Sequence, residues 1–143
     1  MELTNGATAI ANSDILNQLR ELNLNYNQIN GSGAIDLTHS KKLHQLQNIQ
    51  LAYNPIEKSG KEAWKRFQLM ESFKQLHRNN RLDQVGKALI GDFGFMVLLD
   101  FPFISELEVL DLRNNSLTDE AVIALSHSQK LKSLVSLNLS KNN

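Results

Sequence analysis

The sequence predicts an α/β fold built from one small unit used several times: about five short parallel strands, each followed by a helix. Three observations predict it. A leucine pattern that ends in an asparagine recurs along the 143 residues. A second pattern, large–small–large at steps of four, opens two residues after that asparagine. The two patterns hold one register against each other, and separate features that agree at one period mark an internal repeat.

Residues 1–18 read as the helical half of a unit whose strand is missing, with Leu3, Ala7 and Ile10 at helical spacing. The strand halves follow as Leu19/Leu22/Leu24/Asn27 and Leu46/Ile49/Leu51/Asn54. Two more are Leu107/Leu110/Leu112/Asn115 and Leu134/Leu137/Leu139/Asn142. The middle apolar pair in each lies two residues apart, so both point to one face of a strand. The asparagine amide donates and accepts, so it can satisfy backbone groups at the bend that no sheet partner reaches. The helical halves are Ile29/Gly33/Leu37, Ile56/Gly60/Trp64, Leu82/Gly86/Ile90 and Leu117/Ala121/Leu125, with openers 27, 26 and 35 residues apart. The small residue lets the first helical turn lie close to the strand layer.

The middle departs from the pattern. Phe73 and Leu76 fit a strand only if Arg78 points inward. Taking Asn80 as the bend asparagine puts Gln75 and His77 inward instead. An irregular third strand is therefore expected near 73–78. Ahead of it, Ala63, Phe67, Met70 and Phe73, with Trp64 beside them, recur at helical spacing and predict an amphipathic helix. The next unit is too long, and its excess lies within 91–105. Four of the six phenylalanines fall there, between 93 and 103. That stretch is either a longer helix filling the core or a protruding apolar patch.

The string at 107–117, L-x-x-L-x-L-x-x-N-x-L, resembles the leucine-rich repeat. A period of 26–27 residues with a helical half is similar to the ribonuclease-inhibitor-like class. The resemblance implies a leucine-rich-repeat solenoid, an αβ horseshoe arc with strands on the concave face and helices on the convex face. It implies one domain over 1–143, truncated or uncapped at both ends, with an irregular repeat at about 73–106.

The resemblance also implies a function: engaging a partner protein, such as an enzyme that it inhibits, through the concave face. Similar proteins include cytosolic inhibitors, innate-immune receptors and effectors that intracellular bacteria inject into host cells. A compact, cysteine-free chain with 16 asparagines looks more like such an effector. That places it in the cytoplasm, the host's after secretion. The alternative is the substrate-recruiting arm of a larger enzyme such as a bacterial ubiquitin ligase, whose catalytic cysteine this chain lacks. A third reading is a structural module that oligomerises through its ends.

Alternate strand positions face the groove. They are Glu21, Asn23, Asn25 and Tyr26, then Asn48, Gln50, Ala52 and Tyr53. Further along they are Val109, Asp111, Arg113 and Asn114, then Ser136, Asn138, Ser140 and Lys141. Some of Gln75, His77, Arg78, Asn80 and Arg81 fall between. The expected partner-binding set is Glu21, Asn23, Asn25, Tyr26, Asn48, Gln50, Tyr53, Arg78, Asp111, Arg113 and Asn138. Tyr26 and Tyr53 hold equivalent positions, so adjacent strands would bring them about 5 Å apart. Tyrosines with arginines nearby are the residue types that anchor interfaces. The bend asparagines are structural.

Composition narrows the classes. Leucine occurs 24 times and aromatics make up 6%, which predicts a core of stacked leucines. Net charge is zero, so no global pull toward nucleic acid or membrane is expected, although 57–81 carries +4 and 92–120 carries −6. Glutamates interleaved with the basic stretch argue against a nucleic-acid face. No cysteine is present, so disulfides, thiolate metal sites and a cysteine nucleophile are excluded. The N-terminal stretch shows no basic region followed by an apolar run. The longest apolar run, Phe95–Leu99, is far too short for a bilayer. His39, His44, His77 and His127 lack a carboxylate cluster, so no metal is expected. Gly31-Ser32-Gly33 lacks a third glycine at dinucleotide-binding spacing. Neither an enzyme nor a cofactor is expected.

Overall fold

The computed structural model describes residues 3–87 and 91–143. Met1, Glu2 and the expected helix position Ile90 lie outside the described residues. The chain divides into two compact units, Met1–Gln68 and Leu69–Asn143.

The first unit runs α1 (Leu3–Ala11), β1 (Glu21–Asn23), α2 (Gly31–Thr38), β2 (Asn48–Gln50) and the start of α3 (Lys58–Arg78). β1 and β2 pair in parallel, with Leu22 opposite Ile49. That is the register in which the leucine patterns superpose. Ile29, Leu37, Ile49 and Leu51 are buried between the strands and the helices. Each such side chain contributes about 1.5–3 kcal/mol relative to exposure. Asn30 starts α2 by accepting from the Gly33 N–H at 3.0 Å, which satisfies one of the orphan donors of the first turn. α2 and α3 meet at Gly31 and Gly60: a Cβ on Gly60 would stand 2.6 Å from the Gly31 Cα. α1 packs on α2, and the Thr8 hydroxyl donates to Asp36 at 2.5 Å.

The expected third strand near 73–78 is replaced by helix. α3 continues to Arg78, so Gln75, His77 and Arg78 lie on its last turns rather than on a strand. The reason is local. The stretch 58–78 contains no valine, isoleucine or threonine, and its apolar residues recur at helical spacing. Asn80 is not a bend asparagine either. It takes the left-handed conformation (φ 55°) while the Arg81 N–H donates to the Leu76 carbonyl at 2.8 Å, the arrangement that ends a helix. Among the described residues there are four strands rather than about five, in two two-stranded parallel sheets.

The second unit holds the end of α3, a 3-10 turn at Leu82–Lys87, α4 (Gly91–Leu99), a 3-10 turn at Ile104–Glu106, β3 (Val109–Asp111), α5 (Asp119–His127) and β4 (Ser136–Asn138). β3 and β4 pair in parallel, Leu110 opposite Leu137. The edge of β3 away from β4 is covered by the first 3-10 turn: a Cβ on Gly86 would come within 1.4 Å of the Asp111 carbonyl oxygen. The phenylalanine-rich stretch fills the core. Phe95 and Phe101 are buried with Leu98, Ile104, Leu110 and Leu112. Phe93 is half-buried, and Phe103 is exposed at 41%. There it stacks on His77 at 4.0 Å, and His77 is joined to Glu106 at 2.8 Å.

The free edge of β2 is finished differently. The Trp64 indole N–H donates to the Ile49 carbonyl at 2.9 Å. Trp64 stands where the other helical halves carry leucine or isoleucine, and its longer ring reaches an acceptor that a third strand would otherwise use. The Leu51 carbonyl on the same edge is met by the Asn54 amide at 3.0 Å.

Two carboxylates tie helix starts together. The Glu57 carboxyl is held below its ordinary value of 4.5, first by its own backbone N–H and then by the N–H of Gly31. Asp92 accepts from the Thr118 N–H at 2.9 Å and from its hydroxyl at 2.5 Å. Those two bonds, the hydroxyl first, hold its carboxyl below 3.8. Both groups lose protons more readily in the folded chain than in the unfolded one. Their stabilisation is therefore present above the ordinary carboxylate range and is lost as pH falls through the lowered folded values. Urea unfolding followed from pH 7 to pH 3 is expected to show stability dropping below about pH 4.5. In a Glu57→Gln/Asp92→Asn variant that decline becomes shallower; an unchanged slope would refute the assignment.

Candidate protein-binding face

Alternation in β1 and β2 sends Leu22 and Ile49 inward and leaves Glu21, Asn23, Asn48 and Gln50 exposed side by side. Past the strands the same face continues through Asn25. Its Oδ1 accepts from the Ala52 N–H at 2.8 Å and its Nδ2 donates to Gln50 Oε1 at 3.2 Å. The Asn25 N–H donates to Asn23 Oδ1 at 3.0 Å. The Tyr26 N–H then donates to the Ala52 carbonyl at 2.9 Å, the last rung of the pair.

At this point the backbone turns left-handed. Tyr26 and Tyr53 have φ of 58° and 59°. A side-chain-bearing residue pays about 1–2 kcal/mol for that conformation. The turn brings the two rings together, stacked with centroids 4.3 Å apart and planes 9° from parallel. Both residues are 73% exposed. The result is a flat aromatic surface beside a row of amides and one carboxylate.

The second unit repeats the backbone with other side chains. Asn114 and Lys141 occupy the equivalent left-handed positions at φ 58° and 57°. Asp111 accepts from the Arg113 N–H at 3.0 Å and from its guanidinium at 3.1 Å. Asn138 accepts from the Ser140 N–H at 3.0 Å. A cleft of about 630 Å³ lies here, lined by Asp83, Gly86, Lys87, Val109, Asp111, Arg113, Asn114 and Lys141.

Seven of the expected site residues are thus brought together in the first unit: Glu21, Asn23, Asn25, Tyr26, Asn48, Gln50 and Tyr53. Asp111, Arg113 and Asn138 form a second group in the other unit. Arg78 ends α3 and belongs to neither strand pair. Arg78 and Arg81, expected near the tyrosines, fall in the second unit. Asn23, Asp111 and Asn138 have a structural duty too, each accepting the N–H two residues on. Asp83 and Lys87 line the cleft but were not expected, because Leu82–Lys87 reads as a helix opener rather than as a strand-edge cover. Among the described residues no group of three His, Asp or Glu is placed to hold a metal ion. No helix among them is long and apolar enough to cross a membrane.

Fold and face together describe a repeat protein: short parallel strands with inward leucines, a bend asparagine, a helix behind, and an open polar face. Residues 17–37 and 106–126 each match the profile of the Leucine Rich repeat family. Each match begins before a strand, β1 or β3, and ends within the helix that follows, α2 or α5. Both segments are similar to leucine-rich repeats. No curated protein matches the chain.

Proposed function

We propose that this chain binds another protein through its strand face, with Tyr26 and Tyr53 as the anchors and Glu21, Asn23, Asn25, Asn48 and Gln50 around them. Leucine-rich repeats generally mediate protein–protein interaction and are typically non-enzymatic. The observation that carries the reading is the tyrosine pair: two large rings, stacked and exposed, kept on a backbone that disfavours them. Strained, solvent-facing aromatic residues mark a surface whose purpose lies outside the fold's own stability. Asp111, Arg113 and Asn138 form a secondary polar contact set, and Arg78 a further point of contact.

The finer reading is a ribonuclease-inhibitor-like binder that covers and blocks an enzyme. It acts in the cytoplasm, that of a host cell if the chain is a bacterial effector. Its support lies in the sequence: a period of 26–27 residues with a helical half for the class, and no cysteine with 16 asparagines for the effector. The test is capture of partners on the immobilised chain, mass-spectrometric identification, and calorimetry with a Tyr26→Asn/Tyr53→Asn variant. Asparagine suits the left-handed backbone, as Asn114 shows, so the variant keeps its fold. Affinity is expected to fall roughly 30-fold or more. Equal affinity for the variant would refute the assignment of the face.

A further inference from the structure

We infer that the open faces of the Tyr26–Tyr53 stack receive arginine side chains of the partner polypeptide, an inference that rests on the protein-binding reading of this face. Four observations lead there. First, each ring covers one face of the other at 4.3 Å, so each keeps one face toward solvent. That face carries the negative side of the ring quadrupole and attracts a cation. Second, the neighbouring strand-face positions, residues 21, 23, 25, 48, 50 and 52, hold one carboxylate, Glu21, and no cation. A positive group gains from this surround. A nucleic-acid strand, which also stacks on aromatic rings, finds no charge for its phosphates.

Third, the amides beside the rings are partly spent on each other. Asn25 uses its oxygen on Ala52 and one N–H on Gln50, and Asn23 uses its oxygen on Asn25. A sugar, which needs many free donors and acceptors around its stacking ring, is poorly served. Gln50 Oε1, bonded to Asn25 next to Tyr26, keeps a second lone pair, so an acceptor for a guanidinium N–H remains. A planar guanidinium lies flat on a ring and still presents its edge to such an acceptor, whereas a lysine ammonium does one or the other. Fourth, the fold does not require tyrosine here. The same backbone carries Asn114 and Lys141 in the second unit, so the rings are kept for what they meet.

The experiment is a proton NMR titration of the whole chain with short probe peptides of alternating arginine and serine. Lysine and glutamate counterparts, a polyproline peptide and maltotriose serve as competitors. Expected are shifts of the Tyr26 and Tyr53 ring protons, upfield shifts of the arginine δ protons, and an affinity roughly twofold to fivefold above the lysine peptide. The Tyr26→Asn/Tyr53→Asn variant is expected to lose all three. Equal affinity for lysine and arginine, stronger binding of any other probe, no shift with the arginine peptide, or binding that survives in the variant would each overturn the inference. The two readings also separate. A captured protein that needs the tyrosines but is not displaced by the arginine peptide upholds the face and sinks the arginine.

Discussion

Gly86→Ala is expected to destabilise the second unit by about 3 kcal/mol or more. The added Cβ would fall 1.4 Å from the Asp111 carbonyl oxygen and 2.6 Å from its carbon. These are backbone atoms of β3, so no rotamer change relieves the overlap. Either the 3-10 turn at Leu82–Lys87 lifts away or the strand bends. Lifting the turn would also break the Asn115 amide bond to the Gly86 carbonyl, 2.8 Å long. Gly91→Ala is the control: its φ is +57° but nothing lies within 4 Å of its Cβ position. That variant should lose only the roughly 1–2 kcal/mol of a left-handed residue. Urea unfolding by circular dichroism measures both, and equal losses would mean that the turn does not press on β3.

Much of this arrangement is visible in the residues themselves. The Leu-x-x-Leu-x-Leu strings at 19–24 and 107–112 place β1 and β3, because two apolar residues two apart admit only one buried face on a strand. The parallel pairing follows from superposing them on their neighbours 27 residues on. Where the reading fails, one residue type serves two structural purposes. Asn80 looks like a bend asparagine, yet it ends α3, since asparagine suits any left-handed position. Gly86 looks like the small residue of a helix opener, yet it is small because β3 passes over it. Both needs select the same side chain, and only the long-range contact tells them apart.

The face is legible to a similar depth. That Tyr26 and Tyr53 are neighbours follows from their shared repeat position. That their rings stack does not follow, because it depends on a left-handed φ that nothing about tyrosine announces. Arg78 and Arg81 were expected beside them only because a strand was expected at 73–78. Trp64 carried a signal that could have been used: an indole in place of leucine brings an N–H needing a partner, and a β2 edge without a third strand has an acceptor to offer.

Asn115→Ala is expected to cost roughly 2–5 kcal/mol, far more than the same change at Asn27, although both are bend asparagines of matched repeats. Asn115 is wholly buried, the sole polar residue so placed among those described. Its amide donates to the Gly86 carbonyl at 2.8 Å and to the Arg113 carbonyl at 3.1 Å. Truncation removes an amide donor from both carbonyls, each loss costing about 1–3 kcal/mol. Asn27 is half-buried and donates to the Leu24 and Asn25 carbonyls at 3.0 and 3.1 Å. The Leu24 carbonyl keeps a second donor, the Asn54 amide at 2.8 Å. Only one acceptor therefore loses its amide donor, so Asn27→Ala should cost about 1 kcal/mol. The difference arises from what each amide reaches: Asn115 is wholly buried and bonds across to the Gly86 carbonyl of the preceding turn, whereas the Asn27 bonds stay within its own bend. Denaturant unfolding of both variants decides the point. Equal losses at the two positions would show that each asparagine serves only its own bend.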